Sequence, residues 1–118
     1  PIGGFFDIPH GVVCGTLLGS SIRKNIECLI RSNDTIYIEK YAKVGRLFST
    51  EKLKDSGQYA RVLVDTLDRW VVELKLSRLS AYDIHESDLD KIISMTENKS
   101  NPVKLTSDDM KSILLDRL

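Results

Sequence analysis

Apolar residues recur at three- and four-residue steps along most of this chain, with polar residues filling the positions between them. From Pro9 to about Arg31 the apolar positions are Val13, Leu17, Leu18, Ile22, Ile26, Leu29 and Ile30, the spacing of one helix face. Gly19-Ser20-Ser21 interrupts that run, so two consecutive helices or one kinked helix are expected. Ser32-Asn33-Asp34-Thr35 supplies a stop followed by N-cap candidates. A second helix is predicted from about Thr35 to Phe48, with Ile38, Tyr41, Ala42, Gly45 and Phe48 on one face and Glu39, Lys40, Lys43 and Arg46 on the other. Ser49–Gly57 reads as a polar connection. The longest helix then runs from about Gln58 to Lys75, roughly 27 Å at 1.5 Å per residue. Its buried stripe is expected to be Tyr59, Val62, Leu63, Leu67, Trp70, Val71 and Leu74, with Trp70 as a core anchor.

Ser77–Ile84 breaks the period and reads as an extended connection. A further helix opens at Ile84–Asp88, where Glu86, Asp88 and Asp90 suit the positive end of the helix dipole and Leu89, Ile92, Ile93 and Met95 give an apolar side. His85 stands at this exposed start and reads as a cap or surface residue. Asn98–Asn101 is a polar loop closed by Asn101-Pro102. Thr106-Ser-Asp-Asp109 has the form of a capping box, with Asp where Glu or Gln is usual, and Met110, Ile113, Leu114 and Leu118 follow on one face. The pattern therefore predicts one all-α domain over residues 1–118, of six or seven helices, with Tyr59, Leu63, Leu67 and Trp70 substantially buried. No glycine-rich loop stands between a strand and a helix, so no phosphate cradle of the dinucleotide-binding kind is expected.

Composition changes this picture little. The 118 residues suffice for one domain with a core of its own. Seventeen basic residues balance seventeen acidic ones, so no strong field would draw in nucleic acid or an anionic membrane. No apolar run approaches the ~20 residues that span a bilayer, and no charged-then-apolar signal segment opens the chain; the cytoplasm is the expected location. Cys14 and Cys28 lie fourteen residues apart within helical pattern, which is neither a disulfide framework nor a zinc finger. Both read as reduced, partly buried small hydrophobes. His10 and Cys14 are one helical turn apart, the spacing of a two-donor clip, but a structural zinc takes four ligands and the others are not evident.

The stretch with most chemical promise is Pro1-Ile-Gly-Gly-Phe-Phe-Asp-Ile-Pro-His10-Gly-Val-Val-Cys-Gly-Thr-Leu-Leu18. Pro9 suits the first position of a helix, Gly3 and Gly4 suit a loosened loop before it, and His10 is then held at a helix N-terminus, able to serve an ion or cofactor.

This stretch resembles the start of the C-terminal helical domain of the iron-containing (group III) alcohol dehydrogenases, whose fold is shared with dehydroquinate synthase-like proteins. Gly3-Gly4-Phe5-Phe6, Pro9-His10-Gly11 and Leu17-Leu18 match the family's string in order and spacing, whereas Cys14 and Gly19 stand where many members have Asn and Pro. Tyr41-Ala42-Lys43-Val44-Gly45-Arg46-Leu47 is similar to a middle segment. Asn101-Pro102, Leu105-Thr106, the two following acids and Ile113-Leu114 are similar to the family's end.

The resemblance implies a parent enzyme that is an NAD(P)-dependent alcohol dehydrogenase, interconverting a small-molecule alcohol and aldehyde with Fe²⁺ or Zn²⁺. It implies that His10 is a metal ligand, one of a set of one Asp and three His, and that Gly3, Gly4 and Phe6 line the cofactor side of an interdomain cleft. No catalytic residue is assigned within the chain. The implied partners are the parent's own N-terminal nucleotide-binding domain, absent from this sequence, and further subunits of a homo-oligomer. With one ligand of four and no cofactor site, the chain by itself is expected to be inactive. The competing expectation is a self-standing helical protein-interaction domain, which requires the matching strings to be coincidental.

Overall fold

A computed structural model describes residues 2–98 and 100–118, and among them every regular element is helical. Six α-helices follow in order: α1 (Ile2–Phe5), α2 (His10–Arg31), α3 (Thr35–Phe48), α4 (Ser56–Glu73), α5 (Leu89–Ser94) and α6 (Ser107–Asp116), with 3₁₀ turns at Leu79–Tyr82 and Glu86–Asp88.

α2 is the axis of the domain, in contact with α1, α3, α4 and α6. It is continuous for 22 residues, so the expected two-helix alternative at Gly19-Ser20-Ser21 is not what forms. The small residues there are packing positions. A methyl group at Gly19 would sit 3.5 Å from Leu67 Cβ on α4, and the buried Ser20 hydroxyl donates to Asp116 at the end of α6. α2 ends because Asn33 turns left-handed (φ 57°), which Asn tolerates, letting Asp34 N–H reach back to Leu29 O at 2.9 Å. The same device ends α4, where Lys75 has φ 52° and Leu76 N–H donates to Val71 O.

The α2 face that is buried differs from the one hydrophobicity suggests. Leu18 and Ile30 are exposed, whereas Thr16, Ser20 and Asn25 are buried with Ile26 and Leu29. Each of the three polar residues has a partner that makes burial tolerable. Thr16 donates to Ser77 O (2.8 Å) and accepts from Arg117 Nε (3.0 Å), and Asn25 pairs with Asn101 and with Tyr41 Oη.

α3 spans the predicted residues, and Asp34 caps it by accepting from Tyr37 N–H. α4 starts two residues earlier than expected because Asp55 caps it, accepting from Gln58 N–H at 2.9 Å. Contacts between α3 and α4 advance in the same direction along both helices: Glu39 accepts from Ser56, Gly45 faces Tyr59, and Phe48 meets Trp70. The two helices therefore run side by side in a parallel sense, and residues 49–55 double back between them. Their seam is made of small residues, Ala42, Gly45 and Ala60, all buried.

Four further expectations are corrected. Trp70 is not a buried anchor: it is 38% exposed and covered on one side by Phe48, edge to face at 5.4 Å. The last turn of α4 runs past its partners, which also leaves Val72 and Leu74 exposed; Leu63 and Leu67, nearer the α2 crossing, are buried as expected, and Tyr59 is half-buried. Residues 2–5 form a helical turn instead of a loosened loop, closed by Phe6 N–H donating to Ile2 O, and neither Gly3 nor Gly4 adopts positive φ. The connection 77–84 contains a 3₁₀ turn ended by Asp83 at φ 59°. Cys14 is exposed; Cys28 alone fits the half-buried reading.

Two apolar clusters result among the described residues. One, around Ile26, Ala60 and Val64, joins α2 to α4. The other lies under the first turns of α2, where Ile2, Ile8, Leu79, Ile84, Leu89, Ile92 and Leu114 pack together with Phe6, Val12, Val13 and Leu17 at their edge. The chain's last residues brace this second cluster. Leu79 N–H donates to Arg117 O at 2.8 Å and Ser80 N–H to Leu118 O, while Arg117 also donates to Leu76 O.

The capping box of α6 forms as read. Asp109 N–H donates to Thr106 Oγ1 (3.1 Å) and Thr106 N–H to Asp109 Oδ2 (3.0 Å). That backbone bond from Thr106 holds the Asp109 carboxyl below its ordinary range. Because its folded pKa is depressed, the stabilisation is complete above the unfolded carboxylate pKa and is lost as pH falls through the folded one. Asp109→Asn is thus expected to lower the melting temperature near neutral pH, with the gap to the parent chain closing in acid. A gap of constant size down to the acid transition would show that the carboxylate charge plays no part.

Candidate metal-ligand position and adjoining cavity

Pro9 sits in extended conformation (φ −59°, ψ 138°) as the cap of α2, so His10 is its first residue. Val12 and Val13 N–H bond to Pro9 O, which fixes the first turn, and the second apolar cluster fixes the chain on both sides of it. Tight packing beneath and an exposed imidazole above is how a ligand is held on a rigid support. His10 Nε2 lies 3.4 Å from Cys14 Sγ, one turn further on.

Beside His10 opens a cavity of about 390 Å³ that follows α2. Gly3, His10, Val13 and Leu17 form one wall, Ile92 and Ile93 of α5 another, and Leu105, Met110 and Ile113 the side toward α6. The lining is mostly apolar, and Asn25 and Asn101 stand at the far end. Their amides bond reciprocally at 3.0 Å in each direction, and Asn101 Nδ2 also donates to Val103 O. Asn98 grips Leu105 in the same way, donating to its carbonyl and accepting from its N–H, both at 3.1 Å. Asn98 and Asn101, for which the sequence predicts only a polar loop, thus tie Val103 and Leu105 in place beside the cavity.

Of the other residues read as site candidates, Gly3 lines the cavity, Gly4 is exposed with nothing within 4 Å of a would-be methyl group, and Phe6 is half-buried against the second cluster. His85 caps the turn before α5, its N–H donating to Asp88 Oδ2 at 2.8 Å. Among the described residues no group of three or more His, Cys, Asp or Glu is arranged to hold a metal ion. An exposed imidazole at a helix start is a donor that Fe²⁺ or Zn²⁺ accepts, and His10 fits one ligand position. Among the described residues no helix is long and apolar enough to cross a membrane.

The domain is thus all-α, with an outward-facing histidine on a packed helix start beside an apolar cavity. The chain belongs to the Fe-containing alcohol dehydrogenase family, whose C-terminal-domain model matches residues 1–118. Its fold is similar to that of a 1,3-propanediol oxidoreductase, with a TM-score of 0.78 at 23% sequence identity. That likeness covers 99% of this chain and 30% of the oxidoreductase, so the chain spans about a third of its length. A search of curated proteins gave no match. A match along the whole chain removes the coincidence on which the interaction-domain alternative depended.

Proposed function

We propose that this chain is the metal-ligand-bearing C-terminal part of an NAD(P)-dependent alcohol dehydrogenase. The observation that carries the reading is His10, exposed at the first residue of α2 and opening onto an apolar cavity, in a chain that the family model matches throughout. Three further donors, an Asp and two His, and the nicotinamide site would come from an N-terminal domain. When bound, Fe²⁺ or Zn²⁺ supplies Lewis acidity that lowers the pKa of an alcohol oxygen.

The chain's own residues would do three things. His10 holds one ligand position from a helix start whose backbone is fixed by Pro9. Gly3, Gly4 and Phe6 form the near wall of the cleft, and Gly3 lets the chain lie close to what enters. Val13, Leu17, Ile92 and Ile93 shield the carbon chain of an alcohol or aldehyde from water, which favours an apolar substrate body over a charged one. Parent subunits are proposed to associate with one another.

The test compares the 118-residue chain with the chain joined to an N-terminal nucleotide-binding domain of the family. Nicotinamide reduction with a short primary alcohol is expected from the joined protein loaded with Fe²⁺ or Zn²⁺, and none from the chain by itself. Turnover by the separate chain, or a metal-loaded joined protein that never reduces the nicotinamide, would sink the reading.

A further inference from the structure

We propose that His10 and Cys14 form a two-donor clip for a thiophilic divalent cation, with Cys14 a metal donor in its own right. Both residues are exposed on the first two turns of α2, four positions apart, and so lie on one face. Cys14 Sγ and His10 Nε2 are 3.4 Å apart. A Zn²⁺ ion bound at about 2.05 Å from nitrogen and about 2.3 Å from sulfur sees two donors at that separation under an angle of about 103°, near the tetrahedral value of about 109°.

The separation is set by one continuous helix on a packed base, so the pair is in place before the ion arrives. Binding breaks the Cys14 S–H bond, sends one proton to the buffer and gives the sulfur electron pair to the metal, while His10 contributes its Nε2 lone pair. No oxidation or reduction is involved. Two coordination positions stay open for water or for donors from outside this chain. A thiolate with an imidazole favours Zn²⁺ or Cd²⁺ over harder cations, so the pair would bias the metal that a parent enzyme takes up. Cys28 is no rival donor in this pair: it is half-buried on a later turn beside Asp109, 3.9 Å away.

The clip rests on the reading of His10 as a ligand, but its test needs neither the parent enzyme nor turnover. The 118-residue chain carrying Cys28→Ser is titrated with Cd²⁺ while the ultraviolet thiolate-to-cadmium charge-transfer band is followed. A saturable band at one ion per chain is expected, absent after Cys14→Ser, with apparent affinity at least about tenfold weaker after His10→Ala, the scale on which losing a supporting group shows. Far-UV circular dichroism of each variant establishes that the helices persist, as exposed positions require. No band at a large excess of Cd²⁺, or a band whose affinity ignores His10→Ala, would overturn the clip. Neither result touches the alcohol dehydrogenase reading, which is judged on metal content and turnover of the joined protein.

Discussion

Gly45→Ala is expected to destabilise this domain by at least about 3 kcal/mol, at or beyond the top of the usual range for an overpacked core. Alanine elsewhere in a helix interior is better than glycine by roughly 0.5–1 kcal/mol, because glycine loses more freedom on folding. At Gly45 the sign reverses. An added Cβ would lie 1.8 Å from the Tyr59 carbonyl oxygen and 2.7 Å from its carbon. Both are backbone atoms of α4, so no side-chain rotation relieves the clash and the helices must part. Parting them opens the seam in which Ala42 and Ala60 are each 0% exposed. Gly11→Ala is the control: nothing lies within 4 Å of its would-be methyl group, and its stability should match or slightly exceed the parent's. Urea or thermal denaturation of the two variants decides the matter. If Gly45→Ala unfolds at the same midpoint as Gly11→Ala, the close approach of α3 and α4 is wrong.

His10→Ala is expected to have opposite consequences in two settings. In the 118-residue chain the melting temperature should shift little, because the imidazole is exposed and its partner is the exposed Cys14. In the protein joined to a family N-terminal domain, metal content and turnover should fall together. Loss of a ligand there leaves the cation loosely held and the alcohol oxygen unpolarised, and such a loss is expected to lower kcat/KM by at least about a hundredfold, or about 2.7 kcal/mol at 1.36 kcal/mol per decade. Metal analysis, steady-state kinetics and a thermal melt are enough. Unfolding of the short chain would make His10 a structural residue, and a joined protein with full metal and full turnover would remove it from the site.

The helices were legible where two independent signals agreed. α3 has the predicted bounds because Asp34 caps it just where its apolar face begins, and α6 starts where predicted because Thr106 and Asp109 exchange bonds as the capping pattern requires, though it ends at Asp116 and leaves Leu118 outside the helix. What escaped has a physical pattern. Hydrophobicity finds apolar faces, but α2 buries Thr16, Ser20 and Asn25, whose partners Ser77, Arg117, Asp116 and Asn101 are more than fifty residues away. Trp70 lies on the right stripe, yet burial depends on how far the neighbouring helices extend, which a helical period does not encode.

The candidate site divides in the same way. The place of His10 follows from Pro9 and the run behind it. The cavity is assembled from α2, α5, α6 and the pinned segment before α6, and no single stretch of sequence contains it.

The bracing of residues 79–80 by 117–118 bears on how the domain comes into being. Leu114, Arg117 and Leu118 leave the ribosome about a hundred residues after Ile2, Ile8 and Thr16, the groups they complete. The α2–α3–α4 unit, built from contacts closer in sequence, has its partners early and can form while the rest is being made. The cluster beneath His10 cannot close until the end of α6 emerges. During synthesis His10 is therefore mounted on an unfinished base until the end of α6 emerges, about a hundred residues after the histidine itself.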